Sequence, residues 1–263
     1  MKVTVASGLS PVPCRAMVIG VLGGSGQTGR EVVAELAIRG HRPVALSRGA
    51  PPAGAEHRRV DVVSGEGLAE GVAGLEALVD VLQGGAPVLV EGVRRALAAA
   101  RDAGVSQVVS LSIVGCDRVP LAYYGVKVGQ EAVVRESGLP WSIVRATQFH
   151  SLVAGTFASA ARRGFLPLVR VPLQPLDHRE LAPVLADRLE AGPAGTVSEF
   201  AGPRVERVDA LARTWARATG VRRLPLPLPA AGAVLRAVRA GGLTSPSAPR
   251  GQVTFEQWLR AAA

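Results

Sequence analysis

Tyr123 and Lys127 lie four residues apart in the stretch "YYGVK", a spacing that puts both on one face of a helix. Upstream, Ser112 sits near the end of the apolar run "QVVSLSIVG", three residues before Gly115. A phenol next to an ammonium is an acid suited to carbonyl reduction. The cation is expected to lower the phenol pKa toward the working range and to hold ribose hydroxyls, while the serine hydroxyl hydrogen-bonds a substrate oxygen. Lysine is otherwise nearly absent: of 30 Lys and Arg residues only Lys2 and Lys127 are lysine, so 28 are arginine. A forked guanidinium cannot replace a compact point charge, which gives a reason for one interior lysine. Tyr124 is out of register with Lys127 and reads as a packing residue.

Chemistry of this kind needs a redox partner, and a glycine loop offers to hold one. In "VLGGSGQTGREVV", Gly23, Gly26 and Gly29 follow an apolar strand and open a helix. A tight turn there brings backbone N–H groups and the positive end of the helix close to a diphosphate. Ser25, Gln27 and Thr28 fill the loop and can add N–H or hydroxyl contacts. The second strand ends in "ALSRGAP", so Ser47 and Arg48 stand where an acidic residue would bind the ribose of NAD. Arginine suits a 2′-phosphate by charge and fork geometry, and NADP(H) is expected over NAD(H). Asp61, at the end of the third strand-like run, is in reach of the adenine or is simply a turn residue.

Two kinds of element must position these groups. Short β-branched runs, "MVIGVLGG", "PVALS", "RRVDVV", "ALVDVLQ", "QVVSLSIVG" and "WSIVRATQF", alternate with helical patterns that stop at Gly40, Gly104 and Gly138. Alternation of this sort predicts βαβ units and a doubly wound α/β fold of Rossmann type, with a parallel sheet covered on both faces. Residues 1–16 read as a flexible extension, 17–160 as the dinucleotide-binding domain and 161–263 as a small C-terminal substrate lobe. In that lobe, helices are expected around 179–191, 208–219 and 254–262 between proline-rich turns. Asp177 and Glu180, in "DHRE", are spaced as a helix start.

Composition excludes several classes. No apolar run approaches the ~20 residues of a membrane-spanning helix. The net charge is +9, but there is no basic run and only 4% of residues are aromatic, so nucleic acid is not an expected partner. Cys14 and Cys116 are too few for a disulfide framework and lack metal-ligand spacing, which points to the cytoplasm. Cys116 reads as an ordinary small residue, and His150 as a structural histidine or an aid to substrate orientation.

The glycine loop, "LSIVG" and "YYGVK" together resemble the short-chain dehydrogenase/reductase superfamily. "SGLPWSIVRATQFH" and "LQPLDHRELA" narrow the resemblance to its atypical, NmrA-like NAD(P)H-binding branch, over about residues 17–260. The resemblance implies that Gly23, Gly26 and Gly29 cradle the diphosphate and that Gln83 and Gly84 lie beside the ribose and nicotinamide. It also implies that the segment from Ala146 and Thr147 to Phe149 faces the nicotinamide and the pocket. The superfamily sets its serine about thirteen residues before the tyrosine, which selects Ser110. The S-x-x-G context selects Ser112, nearer the carboxyl end of the strand. The expected function is an NADP(H)-dependent oxidoreductase acting on a small carbonyl or quinone, as monomer or homodimer. The alternatives are a non-catalytic NADP(H) sensor and, third, a sugar-nucleotide epimerase.

Overall fold

The computed structural model describes residues 15–50, 54–227 and 232–261. Most of the expected N-terminal extension, with Cys14, lies outside the described residues. The strands are β1 (Val18–Leu22), β2 (Arg42–Ser47), β3 (Glu56–Arg59), β4 (Ala77–Asp80), β5 (Gln107–Ile113), β6 (Trp141–Ala146), β7 (Phe165–Leu168), β8 (Pro172–Leu173), β9 (Val197–Phe200), β10 (Glu206–Arg207) and β11 (Leu224–Pro227). Seven form one sheet in the order β3-β2-β1-β4-β5-β6-β9, with every pairing parallel. This is the expected doubly wound Rossmann-type fold.

Helices cover both faces of the sheet. On one side α1 (Gln27–Ile38) and α6 (Leu181–Glu190) bury Val32, Leu36, Leu185 and Leu189 against Val21, Val79, Val109 and Val144. On the other, α2 (Leu68–Val72), α3 (Val93–Asp102) and α4 (Ala122–Arg135) bury Val72, Leu97 and Val133 against Leu46, Leu78, Val108 and Ile143. Successive strand residues serve opposite faces, and both faces of the central strands are covered, so β1, β2, β4, β5 and β6 read as largely apolar runs, unlike the edge strands β3 and β9. β1 pairs with β2 on one side and β4 on the other. The loops leaving β1 and β4 therefore part at the carboxyl edge and open a crevice there.

A third core gathers around α5 (His150–Arg162), α7 (Val208–Thr219), α8 (Gly232–Arg239) and α9 (Phe255–Ala261), with Phe157, Leu211, Trp215 and Phe255 at its centre. The chain crosses the boundary expected after residue 160. It enters this lobe, returns to the sheet as α6 and β9, then goes back to the lobe. β3 also differs from its expected run. It ends at Arg59, and Asp61 turns the chain instead, its Oδ1 accepting the Val63 N–H at 2.8 Å. Among the described residues no helix is long and apolar enough to cross a membrane, and no group of three His, Cys, Asp or Glu could hold a metal ion.

Candidate active site

The crevice holds two cavities that share Gln27, Leu82 and Gln83 as lining residues. The first, about 650 Å³, runs from the glycine loop past the ends of β2 and β3. Gly23, Ser25, Gly26, Gln27, Thr28 and Gly29 line one end, and Ser47, Arg48 and Asp61 the other. The loop is closed so tightly that only glycine fits. A Cβ on Gly29 would lie 2.1 Å from the Gly23 carbonyl oxygen, and one on Gly24 2.8 Å from Ala45 Cα. Gly23 itself has φ +82°, a left-handed conformation. Thr28 Oγ1 is buried at the opening of α1 and has no hydrogen-bond partner among the described residues. A dinucleotide diphosphate fits this cradle: free helix-start N–H groups face it, and the orphaned hydroxyl gains a partner. Arg48 is 69% exposed at the groove rim, and its Nη1 lies 3.9 Å from Asp61 Oδ2.

The second cavity, about 520 Å³, lies at the carboxyl ends of β5 and β6. Tyr123, Lys127 and Ser112 all line it, as do Ala146, Thr147 and Phe149. Gly84 lines neither cavity, and Gln83 alone of that pair borders both. Although 28 residues of the chain are arginine, none lines this cavity, and Lys127 is its one charged lining residue. Tyr123 is 41% exposed at the mouth, whereas Tyr124 is buried, packs into the third core and accepts a hydrogen bond from Gln148 Nε2 at 3.3 Å. Tyr124 thus lines the cavity as well as packing.

Lys127 is 3% exposed. Its ammonium donates to the Leu111 carbonyl at 2.7 Å and to Gln130 Oε1. The site suits a narrow point charge on a flexible stem, not a planar fork, which accounts for a lysine here. The expected lowering of the Tyr123 phenol by Lys127 is not found. Burial raises that phenol, while the ammonium turns toward the strand and Gln130. Burial likewise pushes the Lys127 pKa down, against the opposing pull of Asp80, Cys116 and Glu131.

Ser112 and Ser110 share a face of β5, toward α4. Ser110 Oγ donates to Asp80 Oδ2 at 2.9 Å and stays behind the cavity; Ser112, which lines it, donates to Glu131 Oε1 at 2.6 Å. A hydroxyl has one proton. With that proton hydrogen-bonded to Glu131, Ser112 offers a substrate its lone pairs, not the donor expected from sequence. Glu131 is 2% exposed and bound by Arg145 at 2.8 and 2.9 Å and by Arg135 at 2.7 Å. Burial alone would raise this carboxyl, but the bonds from Arg145 and Ser112 bring it down to about 2. Cys116, beside it, is driven up by burial and by the Glu131 charge to about 11, an unreactive thiol.

The depressed Glu131 pKa links to stability. Its contribution is fully present above the unfolded value of ~4.3 and is lost as pH falls through the folded value. The melting temperatures of the unmutated protein and Glu131→Gln should therefore converge as pH drops from about 5 to about 2. Thermal scans across that range check it, and a gap that stays constant would refute it.

His150 is 1% exposed, its Nε2 donating to the Val253 carbonyl at 2.9 Å while its ring packs on Phe255 and Trp258. It ties the C-terminal segment down and does not line the cavity. Asp177 caps a short 3-10 turn, His178–Glu180, accepting the Arg179 N–H at 3.0 Å. Glu180 instead receives the N–H groups of Gln252 and Val253. Gln27 spans the crevice, from the glycine loop to His178 Nδ1 and Ser151 Oγ, each at 3.4 Å. The sequence reading missed Asp80, Gln130, Glu131 and Arg145. A carboxylate inside the apolar run "ALVDV", and two polar residues three and four places after Lys127, were the available signals.

The sequence model of a family described as NAD(P)H-binding matches residues 23–160. No curated protein matches the chain. Among solved structures, an NADPH-dependent quinone oxidoreductase from Escherichia coli, complexed with NADPH, is 19% identical with a TM-score of 0.77, over 93% of this chain and 99% of that one. A triphenylmethane reductase from Citrobacter sp., complexed with NADP(H), is 19% identical with a TM-score of 0.76, over 94% and 100%. A nucleoside-diphosphate-sugar epimerase from Staphylococcus aureus is 16% identical with a TM-score of 0.74, over 93% and 100%. These likenesses are of fold.

Proposed function

The chain belongs to the NAD(P)H-binding family, and we propose that it is an NADP(H)-dependent oxidoreductase of the atypical, NmrA-like short-chain type, reducing a small, neutral carbonyl or quinone in the cytoplasm. One observation carries this reading: Tyr123, Lys127 and Ser112 line a single cavity that shares Gln27, Leu82 and Gln83 with the diphosphate groove. A bound reduced nicotinamide dinucleotide would supply a hydride. Gly23, Gly26, Gly29 and Thr28 would hold its diphosphate, and Arg48 its 2′-phosphate.

The residues of the chain do the rest. Tyr123, kept protonated by its partial burial, gives its proton to the substrate oxygen as hydride reaches carbon. Its exposure at the mouth lets water restore that proton. Lys127 holds the cofactor side of the cavity, and Ser112 positions a substrate or phenol hydroxyl through its lone pairs. Leu82, Leu111, Ile113, Phe149 and Leu152 exclude water around the reacting carbon. A cavity lining without arginine disfavours anionic substrates, including nucleoside-diphosphate sugars.

A second reading, an NADP(H)-sensing regulator, draws on Tyr123 facing solvent in part and on the Lys127 ammonium being bonded to Leu111 and Gln130. NADPH oxidation against ketones, aldehydes and quinones separates the two. Turnover with none of them, alongside tight NADPH binding, would favour the sensor.

The cofactor preference has its own test. NADPH should bind more tightly than NADH, and Arg48→Ala should erase most of the difference, ~1–3 kcal/mol for a charge-assisted contact. Fluorescence titration with both cofactors measures it. Equal affinities in the unmutated protein would end the argument for Arg48.

A further inference from the structure

Behind the second cavity, Lys127 is tied to buried polar groups that have no part in the reaction just described. Asp80, at the end of β4, has no exposed surface, and Gln130 is 1% exposed. The Lys127 ammonium donates to Gln130 Oε1, and the Gln130 amide donates to Asp80 Oδ2 at 2.6 Å. Asp80 also accepts from Ser110 Oγ at 2.9 Å and, through Oδ1, from the Leu82 N–H at 3.1 Å. The amide turns its oxygen to the cation and its NH2 to the anion. Flipping it would set like partial charges together at both ends, so its orientation is fixed. Burying two charges is expensive, and apolar side chains could have filled this space.

We propose that Asp80, acting through Gln130, is a positioning residue that holds Lys127 as a fixed cation with one N–H turned to the cavity. An ammonium has three donors. The Leu111 carbonyl and Gln130 take two, which leaves the third for a cofactor ribose hydroxyl or the Tyr123 phenol. That last step rests on the proposed function; the hold on Lys127 does not. The titratable groups facing Lys127 are Asp80 from β4, Cys116 from the loop after β5, and Glu131 and Tyr123 from its own helix. Glu131 is already matched by Arg145 and Arg135. Asp80 has no such arginine among its described partners, and of the groups that oppose the burial of the ammonium its charge acts most strongly.

The chain has only two lysines, Lys2 and Lys127, which makes a direct test practical. Lysine labelled with 13C at Cε should give two signals, and their pH titration can be followed without cofactor. In Asp80→Asn the Lys127 midpoint should fall by roughly one pH unit or more, with Lys2 unmoved. Gln130→Met keeps the side-chain volume, cuts the relay and leaves Asp80 its bonds to Ser110 and Leu82. It should lower the midpoint too, and it serves if Asp80→Asn does not fold. An unmoved Lys127 midpoint in either folded variant overturns the proposal. NADPH affinity of the same variants then separates the layers. A lowered midpoint with unchanged affinity at neutral pH upholds the relay and counts against Lys127 as a cofactor ligand.

Discussion

Replacing Tyr123 by phenylalanine is expected to cut turnover ~100-fold or more on any substrate the protein reduces, while NADPH affinity barely changes. The Tyr123 phenol lines the cavity, is partly exposed, and donates its proton to no acceptor among the described residues. Lys127 has turned its bonds inward, and Ser112 donates its hydroxyl hydrogen bond to Glu131. Phenylalanine keeps the ring and its packing, so the loss isolates proton donation. The effect should fall on kcat, since the proton moves in the transition state and not on binding. Stopped-flow oxidation of NADPH measures it. Full turnover in the variant would remove Tyr123 from the chemistry and hand the site to the sensor reading.

Gly29→Ala should be nearly as damaging, by a different route. The new methyl would meet the Gly23 carbonyl oxygen at 2.1 Å and Gly24 Cα at 2.7 Å. Both are backbone atoms of the diphosphate cradle and cannot swing aside as a side chain would. The loop has to open, at ~1–3 kcal/mol of stability for overpacking, and NADPH affinity should drop on the order of 10-fold or more as N–H groups lose their aim. Gly125→Ala is the control. Nothing lies within 4 Å of a Cβ there, in the first turn of α4, so alanine should stabilise the helix by ~0.5–1 kcal/mol. Thermal unfolding and fluorescence titration of both variants decide the matter. A Gly29→Ala protein that binds NADPH like the parent would show that the loop is not the cradle.

β1, β2, β4, β5 and β6 were legible because each is largely buried on both faces and therefore rich in apolar residues, whereas β3, the edge strand "EHRR", has no buried position and ends before the apolar run expected to form it. β9 was not legible, since "VSEF" is an edge strand with two exposed positions and carries half a pattern. α8 was hidden for a related reason: "GAVLRAVR" lies between proline-rich turns and buries Val238 alone. At the site, spacing alone was enough to bring Tyr123, Lys127 and Ser112 to one cavity. It did not reveal where their protons point. That depends on Gln130 and Glu131, one helical turn beyond Lys127, and on Asp80 in a distant strand. Such pairings are made by tertiary packing between β4, β5 and α4, and no local pattern encodes them.

The return of the chain to the sheet has a consequence for synthesis. Until residues 181–200 leave the ribosome, β6 has a bare hydrogen-bonding edge, and the apolar flank of α1 lacks the partner that α6 will give it. The segment matched by the family model, residues 23–160, is therefore an unfinished structure, with Val144 waiting for Ser198 and Arg39 for Asp187 and Glu190. Closing contacts over that sequence distance is slow, and the exposed edge is open to pairing with other chains in the meantime. The nascent protein is most vulnerable to aggregation in the interval between the completion of β6 and the arrival of β9.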